Sequence, residues 1–347
     1  MRKNRKKKFV RWLILFLIVL LAGGYYAYSK GYFDRFIEEK KILDILVERK
    51  NLKNYDLYSK ERPYAVMIDN IRYAWPQTGL SDAFLIYEII VEGGQTRLMA
   101  LFKDQDTIKI GPIRSSRHYY LDYAMENDAI YVHFGGSGKA YSDIRSLGIN
   151  NLDGLANSSG MAYRDKTRPA PHNVYASIAN MKKFAEKKNY RLTTNKDSLL
   201  NYSFSEVNLN EREDAKIANN IKVVYSTNHT TSYSYDSTNK IYTRKMNGVE
   251  HKDRVSGEKY TFKNIIIFKV KNDPLIDNSH KGRQEVYTIG KGNGYFITNG
   301  YAIPITWEKS TRSSQTIFKD LKGKEIKVND GKTFIQVQPL SQTTTLE

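Results

Sequence analysis

The chain has 347 residues, no cysteine, and a formal net charge of +18 from 55 Lys and Arg against 37 Asp and Glu. This length allows one large hydrophobic core or two medium ones, and the lack of cysteine excludes disulfides, thiol catalysis and Cys-based zinc sites. A strongly basic chain is attracted to anionic polymers and lipid surfaces, so the position of the charge decides which partner to expect.

The N-terminal residues predict a membrane anchor. Residues 1–11 carry seven basic side chains and no acidic one, and the stretch WLILFLIVLLAGGYYAY over 12–28 carries no charge. About 20 mostly apolar residues can span a bilayer as a helix, and flanking basic residues stay on the cytoplasmic side. We therefore expect a cytoplasmic basic tail (1–8), a single-pass transmembrane signal anchor (9–28) and globular domains outside the cell membrane.

A cleaved secretory signal is the alternative interpretation of this segment, because it also has a basic start and an apolar middle. The residues LAGG (21–24) form a lipoprotein cleavage box in which Gly24 stands in place of the lipidated cysteine. With either an anchor or a cleaved signal, residues 30–347 are expected outside the cytoplasm. An extracytoplasmic location argues against nucleic acid as a partner, and the basic charge favours an anionic cell-wall polymer.

The next segments predict a stalk and a mixed domain. Charged residues with apolar ones at helical spacing predict a juxtamembrane helix or stalk over 29–60. Strands mixed with helices then predict a layered α/β to α+β domain over 61–186. Its candidate strands lie within 64–70, 84–104 and 128–138, and its candidate helices are 115–127 and 178–189.

The C-terminal part predicts a second, β-rich domain. Polar residues make 187–220 a predicted linker. Beyond it, short β-rich segments follow one another, and Asn299-Gly300 lies where a hairpin reversal is expected, since these residues tolerate positive φ. We predict a mostly antiparallel β domain over 221–340.

Nine stretches carry a resemblance to a known family: RPYAVMIDN, PQTGLSDAFLIYE, VEGGQTRLMALF, GPIRSSRHYYLDYA, YVHFGGSG, RPAPHNVYAS, NIIIFKV, ITWEKS and DGKTFIQVQP. In this order they resemble the YerB-like proteins, a bacterial family of unknown function whose members are often described as lipoproteins. The likeness covers roughly residues 62–180 and 221–339 and implies an exported, two-part α/β protein. It implies no established activity, cofactor or catalytic residue. The lipobox cysteine of the lipoprotein pattern is missing here, so the expected anchor is the helix itself.

The stretch GPIRSSRHYYLDYA (111–124) predicts an anion site at the start of a helix. Ser115 or Ser116 can cap the helix, whose first N–H groups attract anions, and Arg114 can add a bidentate contact. Arg117 shares the apolar face of that helix, where an arginine should be paired. A structural ion pair is the alternative for both arginines, and the partners expected for Arg117 are Asp69, Glu88 and Glu92.

Two histidines are candidate ligand contacts or general bases. His133 ends a predicted strand, and His172 lies in the extended loop RPAPHN. With Asp69, which ends the first strand, they could form a metal site, but no local spacing supports one, so we expect neither metal nor cofactor. Histidines bonded to loop backbone are the structural alternative. The remaining histidines are expected at the surface or in turns: His118, His229, His251 and His280.

Glu88 and Glu92 offer two carboxylates four residues apart on one strand. Paired acids can act as acid and base in glycoside hydrolysis, which makes Glu92 a candidate catalytic acid. The structural alternative is an ion pair between Glu92 and Arg97 across the turn.

Two hypotheses for function follow. In the first, the protein binds or scaffolds an anionic cell-envelope component in a polar cleft, with no nucleic acid and no metal. In the second, it is an envelope hydrolase with His133 or His172 as base and Asp69 or Glu92 as acid. Both require the side chains to converge on one concave surface, and those expected in the cleft are Arg114, Ser115, Ser116, Arg117, His133, His172 and Asp69.

Overall fold

The computed structural model describes residues 2–32, 56, 59–156, 160–196, 200–277 and 280–347. The chain divides into two compact units, Met1–Asn51 and Leu52–Glu347. Most of the stalk predicted over 29–60 lies outside the described residues.

The first unit contains helix α1 (Arg2–Ser29). This helix runs through the basic tail as well as the apolar stretch, and seven of its first ten residues are Lys or Arg. Among the helices that the structure describes, none is long and apolar enough to be a membrane span. The transmembrane helix predicted over 9–28 is therefore not supported by the structure.

The second unit combines three helices with many short strands in its described part. The helices are α2 (Tyr120–Glu126), α3 (Gly138–Ser146) and α4 (Ile178–Lys187). The strands are β1 (Tyr64–Asp69), β2 (Leu85–Ile90), β3 (Thr96–Phe102), β4 (Ile130–His133), β5 (Asn151–Asp153), β6 (Tyr163–Arg164), β7 (Val174–Tyr175), β8 (Lys216–Ile217), β9 (Asn220–Ser226), β10 (His229–Asp236), β11 (Ile241–Met246), β12 (Val249–Glu250), β13 (Thr261–Phe262), β14 (Asn264–Val270), β15 (Asn272–Pro274), β16 (Gln284–Val286), β17 (Gly290–Thr298), β18 (Tyr301–Lys309), β19 (Ile317–Asp320), β20 (Thr333–Pro339) and β21 (Thr344–Leu346).

Serine side chains define where two of the helices begin. The hydroxyl of Ser137 accepts a hydrogen bond from the N–H of Ala140 at 3.1 Å, and that of Ser177 accepts from Asn180 at 3.1 Å. Each bond pairs one of the N–H groups left open in the first helical turn. Ser137 therefore caps α3 within the glycine-rich turn 135–138.

One mixed sheet holds eleven of the described strands. Their order is β19-β18-β17-β14-β20-β2-β3-β1-β4-β5, and β8 pairs with β18. Neighbours are antiparallel except β14–β20, β20–β2, β1–β4 and β4–β5, which are parallel. Strands β1, β2, β3 and β20 are buried along their whole length, as expected for a sheet covered on both faces.

A second, antiparallel sheet covers one face of the mixed sheet. Its described strands run β12-β11-β10-β9-β21, with β13 beside β11. Tyr233 and Phe262 of this sheet contact Phe334 of β20, with ring centroids 5.9 and 4.9 Å apart. On the opposite face, Tyr87 of β2 stacks on Tyr123 of α2 at 4.9 Å. Because successive strand residues point to opposite faces, β2 lies in the middle of three layers.

The two segments predicted as separate domains share the mixed sheet, since β20 pairs with β2 on one side and β14 on the other. The segment 187–220, predicted as a linker, contains the buried side chains Leu200, Tyr202 and Leu209. Its strand β8 pairs with β18. Both segments and their connection are thus parts of the second unit.

Candidate functional site

Three predicted site residues meet at the carboxyl end of β1. Asp69, the last residue of β1, is only 1% exposed. Its Oδ2 lies 2.8 Å from Nδ1 of His172 and 3.1 Å from Nε of Arg114. The ring of Tyr73 stacks on His172, with centroids 6.0 Å apart and an interplanar angle of 27°. We call Asp69, Tyr73, Arg114 and His172 the Asp69 cluster.

Backbone pairing places Arg114 beside Asp69. The N–H of Asp69 donates to the carbonyl of Pro112 at 2.9 Å, and the N–H of Arg114 donates to the carbonyl of Met67 at 2.9 Å. A bridge between Ile68 and Ile113 completes this short antiparallel pairing. The segment 112–114 thus pairs with the end of β1, and this pairing places Arg114 beside the carboxylate of Asp69.

A buried arginine fixes the loop that carries His172. Arg168 donates from Nη1 to the carbonyl of Ala74 at 2.9 Å and from Nη2 to that of Trp75 at 2.7 Å. Asn173 donates from Nδ2 to the carbonyl of Arg168 at 3.1 Å. These bonds tie the His172 loop to the turn that presents Tyr73.

The Asp69 cluster leaves several polar atoms available to a ligand. Across the described ranges, neither Nη atom of Arg114 nor Nε2 of His172 has a hydrogen-bond partner. The Arg114 side chain is 25% exposed and Tyr73 is 75% exposed. A guanidinium held through Nε can still present both Nη groups to a phosphate or carboxylate. A neutral imidazole that donates from Nδ1 to Asp69 presents an acceptor at Nε2.

Arg117 pairs with Glu92, one of its three expected partners. Its Nε donates to Oε1 of Glu92 at 2.6 Å, while Nη2 of Arg97 lies 3.5 Å from Oε2 and Nε of Arg283 lies 3.6 Å from Oε1. Burial raises the pKa of Glu92, but Arg97 and Arg117 together lower it below its ordinary value. An ionised, triply paired carboxylate is a poor general acid at neutral pH. The ion pair expected between Glu92 and Arg97 is present.

Ser115 and Ser116 do not cap a helix, contrary to the prediction. The helix begins only at Tyr120, seven residues long and without a side-chain cap. The N–H of Ser116 donates to the carbonyl of Gly135 at 2.9 Å, and its buried hydroxyl accepts from Tyr131 at 2.9 Å. The segment is extended because it pairs with β1 and the glycine turn, so Arg114 does not lie at a helix N-terminus.

His133 does not join the cluster, although it was predicted to lie in the same cleft. It is fully buried, and its Nε2 accepts from Nδ2 of Asn151 at 2.9 Å while Nδ1 donates to the carbonyl of Gly135 at 2.8 Å. Burial lowers the pKa of His133. With both ring nitrogens bonded inside the protein, it has no nitrogen free for a substrate.

Glu88 and Glu92 do not act as a pair. Glu92 lies beyond the end of β2, whereas Glu88 points into the layer between the two sheets. Its Oε2 accepts from Nη2 of Arg244 at 2.7 Å, and its Oε1 lies 2.8 Å from Nε2 of His229. Burial raises the pKa of Glu88, but Arg244 and His229 outweigh it and hold the pKa well below its ordinary value.

This ion pair is part of a closed ring of hydrogen bonds among buried side chains. Arg244 donates to Nδ1 of His251 at 2.9 Å, and Nε2 of His251 donates to Oε1 of Gln77 at 3.0 Å. Gln77 donates to Oδ1 of Asn70 at 3.0 Å, and Asn70 donates to Glu88 at 3.1 Å. Burial and the Arg244 charge lower the pKa of His251 well below its ordinary value, consistent with its accepting from a guanidinium.

Sequence reasoning missed this network because it placed His229 and His251 at the surface or in turns, whereas both are buried. For His229 a signal was present. His229, Thr231 and Tyr233 alternate along β10, so an inward face holding Tyr233 must also hold the histidine. In the described parts of the chain, no group of His, Asp and Glu side chains is arranged to hold a metal ion. The expectation of no metal and no cofactor stays a prediction.

The fold and the cluster define an α/β protein whose N-terminal and C-terminal segments build one mixed sheet, with an Asp–His–Arg cluster at the carboxyl end of β1. Residues 51–191 match the N-terminal domain of the family described as "Protein of unknown function (DUF3048)", and residues 221–335 match its C-terminal domain. The chain belongs to this family.

Two comparisons agree with this assignment. The chain is 33% identical over 294 residues to the Bacillus subtilis (strain 168) protein named "Putative lipoprotein YerB", covering 83% of this chain and 84% of that protein. It is also similar to the crystal structure of the YerB protein from Bacillus subtilis, with a TM-score of 0.73 and 29% identity over 83% of this chain and 94% of that one. The YerB-like resemblance is confirmed, as are a mixed α/β N-terminal part and a mostly antiparallel C-terminal part.

Proposed function

We propose that this chain is an extracytoplasmic, membrane-associated protein that binds an anionic cell-envelope polymer at the Asp69 cluster. The basic charge of the chain and the name of its Bacillus subtilis relative, "Putative lipoprotein YerB", support the location. A single-pass anchor with a cytoplasmic N-terminus draws its support from the residue pattern of 1–28 alone.

One observation carries the binding proposal. Arg114 and His172 come from separate loops and share one buried carboxylate. The Arg114 side chain is 25% exposed and that of His172 is 11% exposed, and their outer nitrogens have no hydrogen-bond partner among the described residues. A buried carboxylate that fixes two such side chains preorganises them for a ligand. The ligand that fits carries a phosphate or carboxylate for Arg114 and a hydroxyl that can donate to His172.

Cosedimentation of the full chain with isolated anionic wall polymer tests the proposal. We expect Arg114→Ala to weaken binding about tenfold at about 0.15 M salt, as for the loss of a charge-assisted hydrogen bond. Arg145→Ala is the matched control, because it removes the same charge from an exposed position on α3. Equal small losses in both variants would mean diffuse charge attraction and would contradict the proposal.

An envelope hydrolase is the second candidate. It is favoured by the hydrogen bond between Asp69 and Nδ1 of His172, because Nε2 of the same ring is then unpaired and could accept a proton as a general base. In this version His172→Gln abolishes the release of soluble fragments from the polymer while binding persists. If the unaltered chain releases no fragments during prolonged incubation, the hydrolase version is wrong and the binding version stands unaffected.

A further inference from the structure

We propose a second ligand site, independent of the Asp69 cluster, that takes one neutral polyhydroxy ring such as a single sugar residue. A cavity of about 210 Å³ lies where α2 and α3 meet β16 and the residues after it. An apolar cavity of about 150 Å³ holds benzene, so this one has room for a substituted six-membered ring. Both family segments line it, with His118 and Asp143 from the first and Glu285 and Arg312 from the second.

The charges around the cavity are already paired. Arg312 donates from Nε to Asp122 at 2.6 Å and from Nη1 to Asp143 at 2.8 Å. Nζ of Lys139 lies 3.4 Å from Oε2 of Glu285. A charged ligand would have to break one of these ion pairs, whereas a hydroxyl can use the remaining lone pairs and N–H groups. The lining therefore favours a neutral ligand with several hydroxyls.

His118 lies in the cavity wall and is fixed there by Glu285. It is 4% exposed, and its Nε2 lies 2.9 Å from Oε1 of Glu285. Within the described residues, its Nδ1 has no hydrogen-bond partner. Burial lowers the pKa of His118, so the neutral ring donates from Nε2 and leaves a lone pair on Nδ1. That lone pair is closed to solvent, whereas the side chains of Lys139 and Glu285 beside it are 43% and 26% exposed, so these are the groups that a ligand hydroxyl can reach.

Tyr287 and Ile289 give the cavity an apolar side. Both side chains line it and are about half exposed, which leaves surface that a ligand can cover. A sugar ring presents C–H groups on its faces and hydroxyls around its edge, so it can pack on an aromatic ring while its edge bonds to polar groups. The cavity offers both kinds of surface, as this ligand class requires.

Saturation-transfer NMR and calorimetry on the full chain test the proposal, with glucose and N-acetylglucosamine as neutral probes and glucosamine and glucuronic acid as charged ones. We expect a neutral sugar to bind with a Kd below about 10 mM. Tyr287→Ala and Lys139→Ala, at partly exposed positions, should each weaken binding about fivefold.

Tyr73→Ala is the matched control, because it removes an exposed aromatic ring from the Asp69 cluster and should leave sugar binding unchanged. The proposal is overturned if no neutral probe binds below that concentration, if a charged probe binds more tightly to the Arg114→Ala variant, in which the Asp69 cluster lacks its cation, or if Tyr287→Ala leaves the Kd unchanged. Polymer binding by Arg114 is measured separately, so failure of one site leaves the other testable.

Discussion

At the residue scale, the Asp69 cluster was predictable in part. A polar residue at the end of a buried strand and a histidine in a proline-bounded loop identified Asp69 and His172 from sequence alone. His133 has the same pattern, but its two nitrogens are bonded to Gly135 and Asn151. Those partners lie in the glycine turn and in β5. Only the arrangement of the sheet therefore distinguishes His172, which has one unpaired ring nitrogen, from His133, which has none.

Asp69→Asn is expected to lower the free energy of unfolding by about 2–4 kcal/mol. The amide cannot serve as a charged acceptor for both Arg114 and His172, so a buried interaction is lost. Urea unfolding followed by circular dichroism measures the change. Asp106→Asn, at an exposed position, is the control. A loss as small as the control's would show that Asp69 does not hold the cluster together.

Stability is expected to fall as the pH falls from about 6.5 to 5.5. Burial lowers the pKa of His118, His133 and His251, so the folded state keeps them neutral while the unfolded chain protonates them near pH 6.5. The unfolded state then binds more protons, which costs up to about 1.4 kcal/mol per pH unit for each histidine. Urea midpoints at pH 7.5, 6.5 and 5.5 check this, and His251→Gln should reduce the slope by about a third. A flat profile would contradict it.

At the element scale, β1 and α4 were predicted within one or two residues of their observed bounds, whereas α2 begins five residues later than predicted. The residues before Tyr120 have helical spacing, but their backbone groups bond to Met67 and Gly135. Helical hydrogen bonds in this segment compete with bonds to carbonyls in β1 and in the glycine turn. A local sequence pattern cannot show this competition, because those carbonyls lie elsewhere in the chain.

Glu88→Gln is expected to lower the free energy of unfolding by about 3–5 kcal/mol, because Arg244 would stay buried without a counter-charge. Glu88 lies on β2 and Arg244 on β11, so the pair joins the two sheets. The double variant Glu88→Leu/Arg244→Met should recover part of the loss, since both charges are then removed. Glu250→Gln, at a partly exposed acid paired with Lys252 and Lys259, is the control. If Glu250→Gln lowers the free energy of unfolding as much as Glu88→Gln does, then burial of the charge is not the cause of the destabilisation.

At the scale of the second unit, the sequence indicated two successive parts but not their shared sheet. Leu85 of β2 pairs with Thr333 of β20, and nothing local to either strand specifies a partner so far along the chain. Parallel neighbours on both sides make β20 a central strand. The two parts are therefore expected to unfold together.

Tryptophan fluorescence can measure this cooperativity. Trp12→Phe/Trp307→Phe leaves Trp75 as the reporter of the first part, and Trp12→Phe/Trp75→Phe leaves Trp307 as the reporter of the second. Coincident urea midpoints are expected for one cooperative unit. Two separate midpoints would mean that the parts unfold independently despite sharing β20.

The most direct test of the central claim is ¹⁵N-histidine NMR of the full chain during titration with a short glycerol-phosphate oligomer. The spectrum contains six histidines, and His172→Gln identifies the resonances of His172. We predict that the Nε2 resonance of His172 shifts on binding, that the buried His133 resonances do not, and that Arg114→Ala removes the shift. Unchanged His172 resonances at saturating oligomer would contradict binding at the Asp69 cluster.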